Sequence, residues 1–277
     1  MKRLLITGGS SYLGQHLIPK ATRRYDCLYT YFSQDPLGLP EGVWLDVRNK
    51  AEVAGLVHDW HPELIIHAAG SNRSEDMENV ICVGAENIAS AATRVAARLI
   101  HISSDVIFDG AQAPYREVDL PNPKHAYGRA KASAELIVAS HGNHVIIRTS
   151  LIYGLDAMDL STKWIVAALE AGKPVSLFSD QIRNPVWTET LSSACLELGE
   201  LGFTGILNVA GQQAMSRAEL GFRMLDWWRI EERESLSVGP SDGSWPVDCR
   251  LDLTLATKLL KTPMLGVDEV LDVYRER

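Results

Sequence analysis

The chain has 277 residues, of which 46% are hydrophobic and 22% charged, and a formal net charge of -8. That balance suits a folded body with a large core and excludes an intrinsically disordered chain. No basic run is longer than two residues, as at Arg23-Arg24, so the clustered cations of a nucleic-acid surface are missing and no nucleic-acid partner is expected. The four cysteines, Cys27, Cys82, Cys195 and Cys249, are far apart and form no C-x-x-C pair. They read as reduced thiols of a cytoplasmic protein, with no thiolate zinc site. No segment has the apolar length of a membrane span. Glycine follows the first apolar run too early for a secretory leader. The expectation is a soluble, cytoplasmic protein with no membrane partner.

In chain order, short apolar runs alternate with amphipathic stretches. Strands are predicted at 3–7, 27–32, 43–47, 64–68, 99–103 and 145–149, with two later ones at 175–178 and 206–209. Helical patterns cover 13–24, 51–60, 80–96 and 127–140. Most of the strand runs are apolar throughout rather than alternating, which marks strands buried on both faces of a parallel sheet. Strand–helix alternation then implies right-handed crossovers and a Rossmann-type, doubly wound α/β fold. After Leu151 the rhythm loosens, and Trp227, Trp228 and Trp245 appear among Pro240 and Pro246. We read residues 1–154 as a dinucleotide-binding domain and 155–277 as a smaller substrate lobe, with about 174–211 returning to the main domain.

The first strand runs into Thr7-Gly8-Gly9-Ser10-Ser11-Tyr12-Leu13-Gly14. Gly8 permits a tight turn and Gly14 lets the helix pack closely on the strand. N–H groups at the helix start then face a pyrophosphate. An acidic residue at the end of the second strand would read the ribose hydroxyls of NAD. Here that strand ends Tyr31-Phe32-Ser33-Gln34, and Ser33 tolerates a 2′-phosphate, so NADP(H) is favoured over NAD(H). No arginine stands beside it in sequence. Asp46-Val47, after the third strand, suits either an adenine edge or a strand-terminal turn. His67-Ala68-Ala69-Gly70 ends the fourth strand with residues small enough for a flat cofactor to lie against the backbone.

The fifth strand ends Ser103-Ser104-Asp105, where substrates bind in such sheets. Tyr127 and Lys131 follow on one helix face, one turn apart. A nearby ammonium is expected to pull the phenol down from its usual value near 10 toward the operating range. Ser104 would hold a carbonyl, Tyr127 would exchange the proton, and Lys131 would tune Tyr127 and hold a ribose.

In this order the segments resemble the extended short-chain dehydrogenase/reductase superfamily. The segments 103–110, Tyr127-Gly128, Asp180-Gln181-Ile182-Arg183-Asn184-Pro185 and Pro246-Val247-Asp248 look most like its dTDP-4-dehydrorhamnose reductase branch. The resemblance covers nearly the whole chain. It implies Ser104, Tyr127 and Lys131 as the catalytic triad. Cofactor contacts would come from Gly8, Ser10, Ser11, Tyr12, Leu13, Gly14, Ser33, Asp46, Val47, Ala68, Ala69 and Gly70 besides Tyr127 and Lys131. A nucleotide-sugar or other small carbonyl substrate would meet Ser104, Asp105, Val106, Ile152 and Arg183; Arg183 by itself reads equally as a phosphate partner or as one half of a surface ion pair. The implied oligomer is a homodimer through helices of the nucleotide domain. The chain departs from the branch at Ser11, Ile81, Val106 and Leu151. His16 stands near an interface-metal glutamate of some relatives, and His58 with His61 has no third ligand in view; no metal is expected. Two other readings use the same residues: an epimerase or dehydratase that recycles bound NAD, and a non-catalytic NADP-binding regulatory subunit. The regulatory subunit of methionine adenosyltransferase resembles this same branch.

Overall fold

The computed structural model describes residues 1–70 and 76–275. The first half runs β1 (Arg3–Thr7), α1 (Tyr12–Ala21), β2 (Asp26–Tyr31), β3 (Gly42–Trp44), α2 (Lys50–Trp60), β4 (Leu64–His67), α3 (Met77–Arg94), β5 (Arg98–Ile102), α4 (Ala126–Ala139) and β6 (His144–Arg148). A single 3-10 turn, Asp105–Ile107, lies between β5 and α4. The second half runs β7 (Ile152–Tyr153), α5 (Leu160–Glu170), β8 (Val175–Phe178), β9 (Ile182–Arg183), β10 (Val186–Trp187), α6 (Thr188–Glu200), β11 (Gly205–Asn208), β12 (Met215–Ser216), α7 (Arg217–Trp227), β13 (Leu236–Gly239), α8 (Thr254–Leu259) and α9 (Val267–Arg275).

Seven strands form one parallel sheet in the order β3-β2-β1-β4-β5-β6-β11. Strand order reverses between β1 and β4, which opens a crevice at their carboxyl ends. Alternation along β1 sorts the two cores: Leu4 and Ile6 pack with α1 and α6, whereas Leu5 packs with α2, α3 and α4. Alanines on α3 (Ala85, Ala89, Ala92) and α4 (Ala130, Ala134) let those helices lie close together. The third strand is shorter than the expected 43–47, because the Asp46 side chain accepts from the Arg48 N–H and turns the chain.

Of the segment 174–211, α6 packs on α1 and β11 extends the main sheet, while β8 pairs with β13 in the lobe. Three two-stranded pairs, β7–β10, β9–β12 and β8–β13, lie outside the main sheet. Ser216 and Glu219 form a reciprocal capping box at the start of α7. All four cysteines are free. Among the described residues, no helix is long and apolar enough to cross a membrane.

One buried ion pair fastens the central strands to α4. Arg148 is 1% exposed, and its Nη2 donates to Glu135 Oε2 at 2.9 Å. Its Nη1 donates to the carbonyls of Glu117 and Asp119, and the guanidinium lies 5.1 Å from the centroid of the Phe108 ring. Ser103 Oγ donates to the same Glu135 carboxylate. Removing one partner strands a charge that water cannot reach. Glu135→Leu is therefore expected to lose about 3–5 kcal/mol in urea denaturation. The double change Glu135→Leu with Arg148→Met is expected to recover much of that loss.

Candidate active site

Gly8 has a φ of +80°, and a Cβ there would lie 2.7 Å from Ala69 N and 2.8 Å from the Ala68 carbonyl carbon. Only glycine fits, so the β1–α1 turn rests directly on the end of β4. Gly9 N–H donates to Thr30 O, and Ser11 Oγ caps α1 by accepting from Gly14 N–H at 3.0 Å. The departure at Ser11 thus serves the helix cap. Leu13 is buried in the core, and Ser10 stays part-exposed at the turn. Tyr12 points elsewhere: its hydroxyl donates to Ala157 O at 2.5 Å, in the loop before α5.

Ser33 is exposed just beyond β2. Asp46 is gripped by Arg48, with Nε at 2.9 Å from Oδ1 and Nη2 at 2.7 Å from Oδ2. These bonds hold the Asp46 carboxyl below its usual range. Arg48 also pairs with Asp76 at 2.6 Å and lies 5.3 Å from the centroid of the Phe32 ring. Val47 is buried against Gly84.

Ser104, Tyr127 and Lys131 come together at the carboxyl end of β5. Gly128, beside Tyr127, is pressed on the Val106 carbonyl, which sets the start of α4 on the 3-10 turn. Lys131 is 4% exposed, and its Nζ donates to Ile102 O at 2.9 Å. The same Nζ would lie 3.4 Å from a Cβ on Gly70. Burial pulls the Lys131 ammonium down to about 8, against an upward pull from Glu135 and Cys82. The Tyr127 phenol moves the other way from the sequence expectation. Burial raises it, Asp105 raises it further, and the Ser104 hydrogen bond opposes both. Lys131 stands 5.9 Å from the Tyr127 ring centroid, and its charge is spent on the Ile102 carbonyl.

Asp105 and Arg183 face each other rather than solvent. Arg183 is 2% exposed; its Nη atoms donate to the carbonyls of Ile182, Val247 and Pro246, and Nε lies 3.6 Å from Asp105 Oδ2. Both therefore sit beneath the site, with Val106 buried beside them. Ile152, in contrast, lines a cavity of about 380 Å³ with Leu151, Trp164, Phe178 and Arg217. Arg217 Nη1 reaches Gln181 Oε1 at 3.4 Å, and among the described residues no carboxylate pairs with it. Burial and Arg183 lower its guanidinium, and Asp105 raises it.

Over residues 1–259 the sequence matches the family described as RmlD substrate binding domain. The chain belongs to this family. Among curated relatives, methionine adenosyltransferase 2 subunit beta of Xenopus tropicalis is 30% identical over 248 residues, 83% of this chain and 73% of the relative. A dTDP-4-dehydrorhamnose reductase of Mycobacterium tuberculosis is 29% identical over 232 residues, 78% of this chain and 72% of the relative. A crystal structure described as a hypothetical dTDP-4-dehydrorhamnose reductase from Sulfolobus tokodaii superposes with a TM-score of 0.82 at 29% identity, covering 96% of this chain and 97% of that one.

Three features of this RmlD-family chain escape sequence reading. Arg48 reaches the end of β2 from the far side of β3, and its only linear signal is its place after Asp46-Val47. Arg217 follows a helix cap and resembles any first-turn cation. His67 and His101 stand in register on β4 and β5, fully buried, with ring centroids 5.3 Å apart. Thr7 Oγ1 meets His67 Nδ1 at 2.6 Å. Among the described residues, no group of three or more His, Cys, Asp or Glu could hold a metal ion.

Burial first, then Lys131, drives His67 down to about 3 and His101 well below its usual value. Both rings are neutral in the folded chain and take up protons on unfolding. Their stabilising contribution is thus present above about pH 6.5 and declines as pH falls below it, at up to about 1.4 kcal/mol per pH unit per ring. Urea denaturation between about pH 7 and 5 is expected to show this slope. In His101→Phe the slope is expected to be shallower.

Proposed function

We propose that this chain is an NADPH-dependent reductase of a carbonyl on a nucleotide-activated sugar, in the manner of a dTDP-4-dehydrorhamnose reductase. The observation that carries this reading is a charge imbalance beside the cavity. Asp105 is the carboxylate that approaches Arg183 and acts on Arg217, while Asp159, which also lines the cavity, is taken up by Ser161 and Thr162 at the start of α5. The buried Arg183 and the half-buried Arg217 against Asp105 leave a positive charge that an anion completes, and a nucleotide diphosphate supplies one. The apolar walls at Leu151, Trp164 and Phe178 then suit the flat base or the sugar.

The residues fit a nicotinamide dinucleotide. Gly8 seats the β1–α1 turn on the end of β4, and Gly70, without a Cβ, leaves Lys131 Nζ open to a ribose. Ser33, with no acid at the end of β2, favours the 2′-phosphate of NADPH over NADH; Arg48 meets that phosphate only by exchanging Asp46 or Asp76 for it. Solved neighbours of this fold hold NADP or NAD. When bound, the cofactor supplies the hydride. Ser104 orients the carbonyl oxygen, Tyr127 gives that oxygen its phenolic proton, and Lys131 is held by Ile102 O in position to bind the ribose.

A second reading, a cofactor-binding regulatory subunit, is favoured by the 30% identity to methionine adenosyltransferase 2 subunit beta. It keeps the dinucleotide site and drops turnover. Tyr127→Phe separates the two. In a reductase it is expected to lower NADPH consumption with a keto nucleotide sugar by at least ~100-fold while the thermal shift given by NADPH persists. Full activity in that variant overturns the assignment of Tyr127. Arg217→Gln is expected to abolish the thermal shift given by UDP or dTDP and to leave that of NADPH unchanged. An undiminished nucleotide shift removes Arg217 from the substrate site.

A further inference from the structure

The Tyr127 N–H lies in the first turn of α4, where no helical carbonyl can accept from it. His125 closes that gap. Its backbone is extended, with φ −104° and ψ 151°, and its Nδ1 accepts from Tyr127 N–H at 3.2 Å. Ser, Thr, Asp and Asn are the usual residues in this place. An imidazole does the same only when its ring is held in the one rotamer that aims Nδ1 at the amide, at a cost in side-chain freedom. Here the ring has a holder. The half-buried Trp245 stacks on it, with ring centroids 3.9 Å apart and planes inclined by 20°.

Trp245 is itself fixed on both sides. Pro246 follows it and confines its backbone to extended forms. The Pro246 carbonyl accepts from Arg183 Nη2 at 2.7 Å, and the Val247 carbonyl accepts from Ile182 N–H at 2.8 Å. Gly110, at φ +82°, lies so close that a Cβ there would stand 2.7 Å from Val247 N. On the other side, Ser241 N–H and Oγ donate to the Asp180 carboxylate at 2.9 and 3.0 Å. The late loop is thus tied to β9 and the segment before it, and it presents its indole to α4 from outside the main sheet. Burial, then Arg129, lowers the His125 imidazole, in keeping with an unprotonated Nδ1 that accepts.

We propose that His125 is a positioning residue for Tyr127: the Trp245 indole clamps its ring in the rotamer whose Nδ1 caps α4, so the late loop sets where Tyr127 stands. The inference rests on the reading of Tyr127 as the acid of a reductase. Gly128 on the Val106 carbonyl fixes how near α4 lies to the 3-10 turn, and the cap fixes how the first turn of α4 is wound. Loss of either ring frees the same amide, because an unclamped imidazole rotates away and an uncapped turn frays. Lys131, one turn on, is held separately by Ile102 O, and the glycine turn lies between β1 and α1. The clamp therefore acts on the proton donor and not on the dinucleotide.

The test reads the Tyr127 amide by hydrogen exchange, in NMR of the full chain carrying isotope-labelled tyrosine; the resonance absent from Tyr127→Phe identifies it. Trp245→Ala is expected to speed exchange of that amide by about two- to tenfold. His125→Phe, which keeps a ring for the indole and removes the acceptor, is expected to speed it by about fivefold or more. His125→Asn supplies an acceptor that needs no clamp, so protection is expected to return, and Trp245→Ala added to it is expected to change nothing further. An amide indifferent to Trp245→Ala in the unaltered chain overturns the clamp, and one indifferent to His125→Phe overturns the cap. A role in packing alone makes Trp245→Ala act equally with His or Asn at 125, which also overturns the proposal. Should His125→Phe not fold, the comparison of Trp245→Ala with His and with Asn at 125 decides. With NADPH and a keto nucleotide sugar, kcat is expected to fall in His125→Phe and recover in His125→Asn while KM for NADPH holds. An unmoved kcat beside a faster amide overturns the positioning role. A chain that reduces no sugar yet shows the exchange pattern loses the proposed reaction and keeps the clamp.

Discussion

Glu135 stands one helical turn beyond Lys131 on α4, and its carboxylate receives Arg148 from β6 and Ser103 from the end of β5. The positions of Ser104 and Lys131 both depend on that junction. Ser103 precedes Ser104, so the hydrogen bond that satisfies Glu135 also fixes where the Ser104 backbone leaves the strand. Arg148 precedes Thr149 and Ser150, which hold Asp105 from the other side. The pair is expensive to desolvate, and it stabilises the fold only because Arg148 is saturated by Glu117 and Asp119 carbonyls as well. What it secures is geometry: a helix face and a strand end are brought to one place by a single buried charge.

Much of this was legible in the sequence, and for physical reasons. A strand covered on both faces must be apolar throughout, so Leu4-Leu5-Ile6 and Leu64-Ile65-Ile66 announce themselves. The glycine turn is readable because Gly8 touches backbone at Ala68 and Ala69, a constraint no other residue meets. Tyr127 and Lys131 are readable because helical spacing is local. Charge networks are not local, and there the reading failed. Arg183 looks like a phosphate ligand in linear order, yet three carbonyls and Asp105 already surround it. Arg217 pairs with no carboxylate among the described residues, and only the fold shows its place beside the cavity, since Gln181 and Leu151 are far from it in sequence.

Membership of the RmlD family leaves the reductase and regulatory readings on one scaffold, and the departures from the branch pattern bear on both. Ser11 caps α1, Val106 supplies the carbonyl that seats Gly128, and Ile81 lies against Gly70 beside Lys131. Each replacement has an evident packing role and leaves Ser104, Tyr127 and Lys131 in place. The grouping of these three side chains is thus independent of the residues that depart from the branch, whereas the cavity is shaped separately by β8, α5 and α7.

Tyr12 joins those two regions. It leaves the cofactor turn, places its hydroxyl on Ala157 O and occupies the space where a side chain at Gly154 would stand. Two residues past Ala157, Asp159 caps α5 and lines the cavity. The turn and the cavity wall are consequently one mechanical part, not two. A side chain at 154 is compatible only with a smaller one at 12, so the two positions are sterically coupled. Any change to that cavity wall is therefore felt at the β1–α1 turn as well.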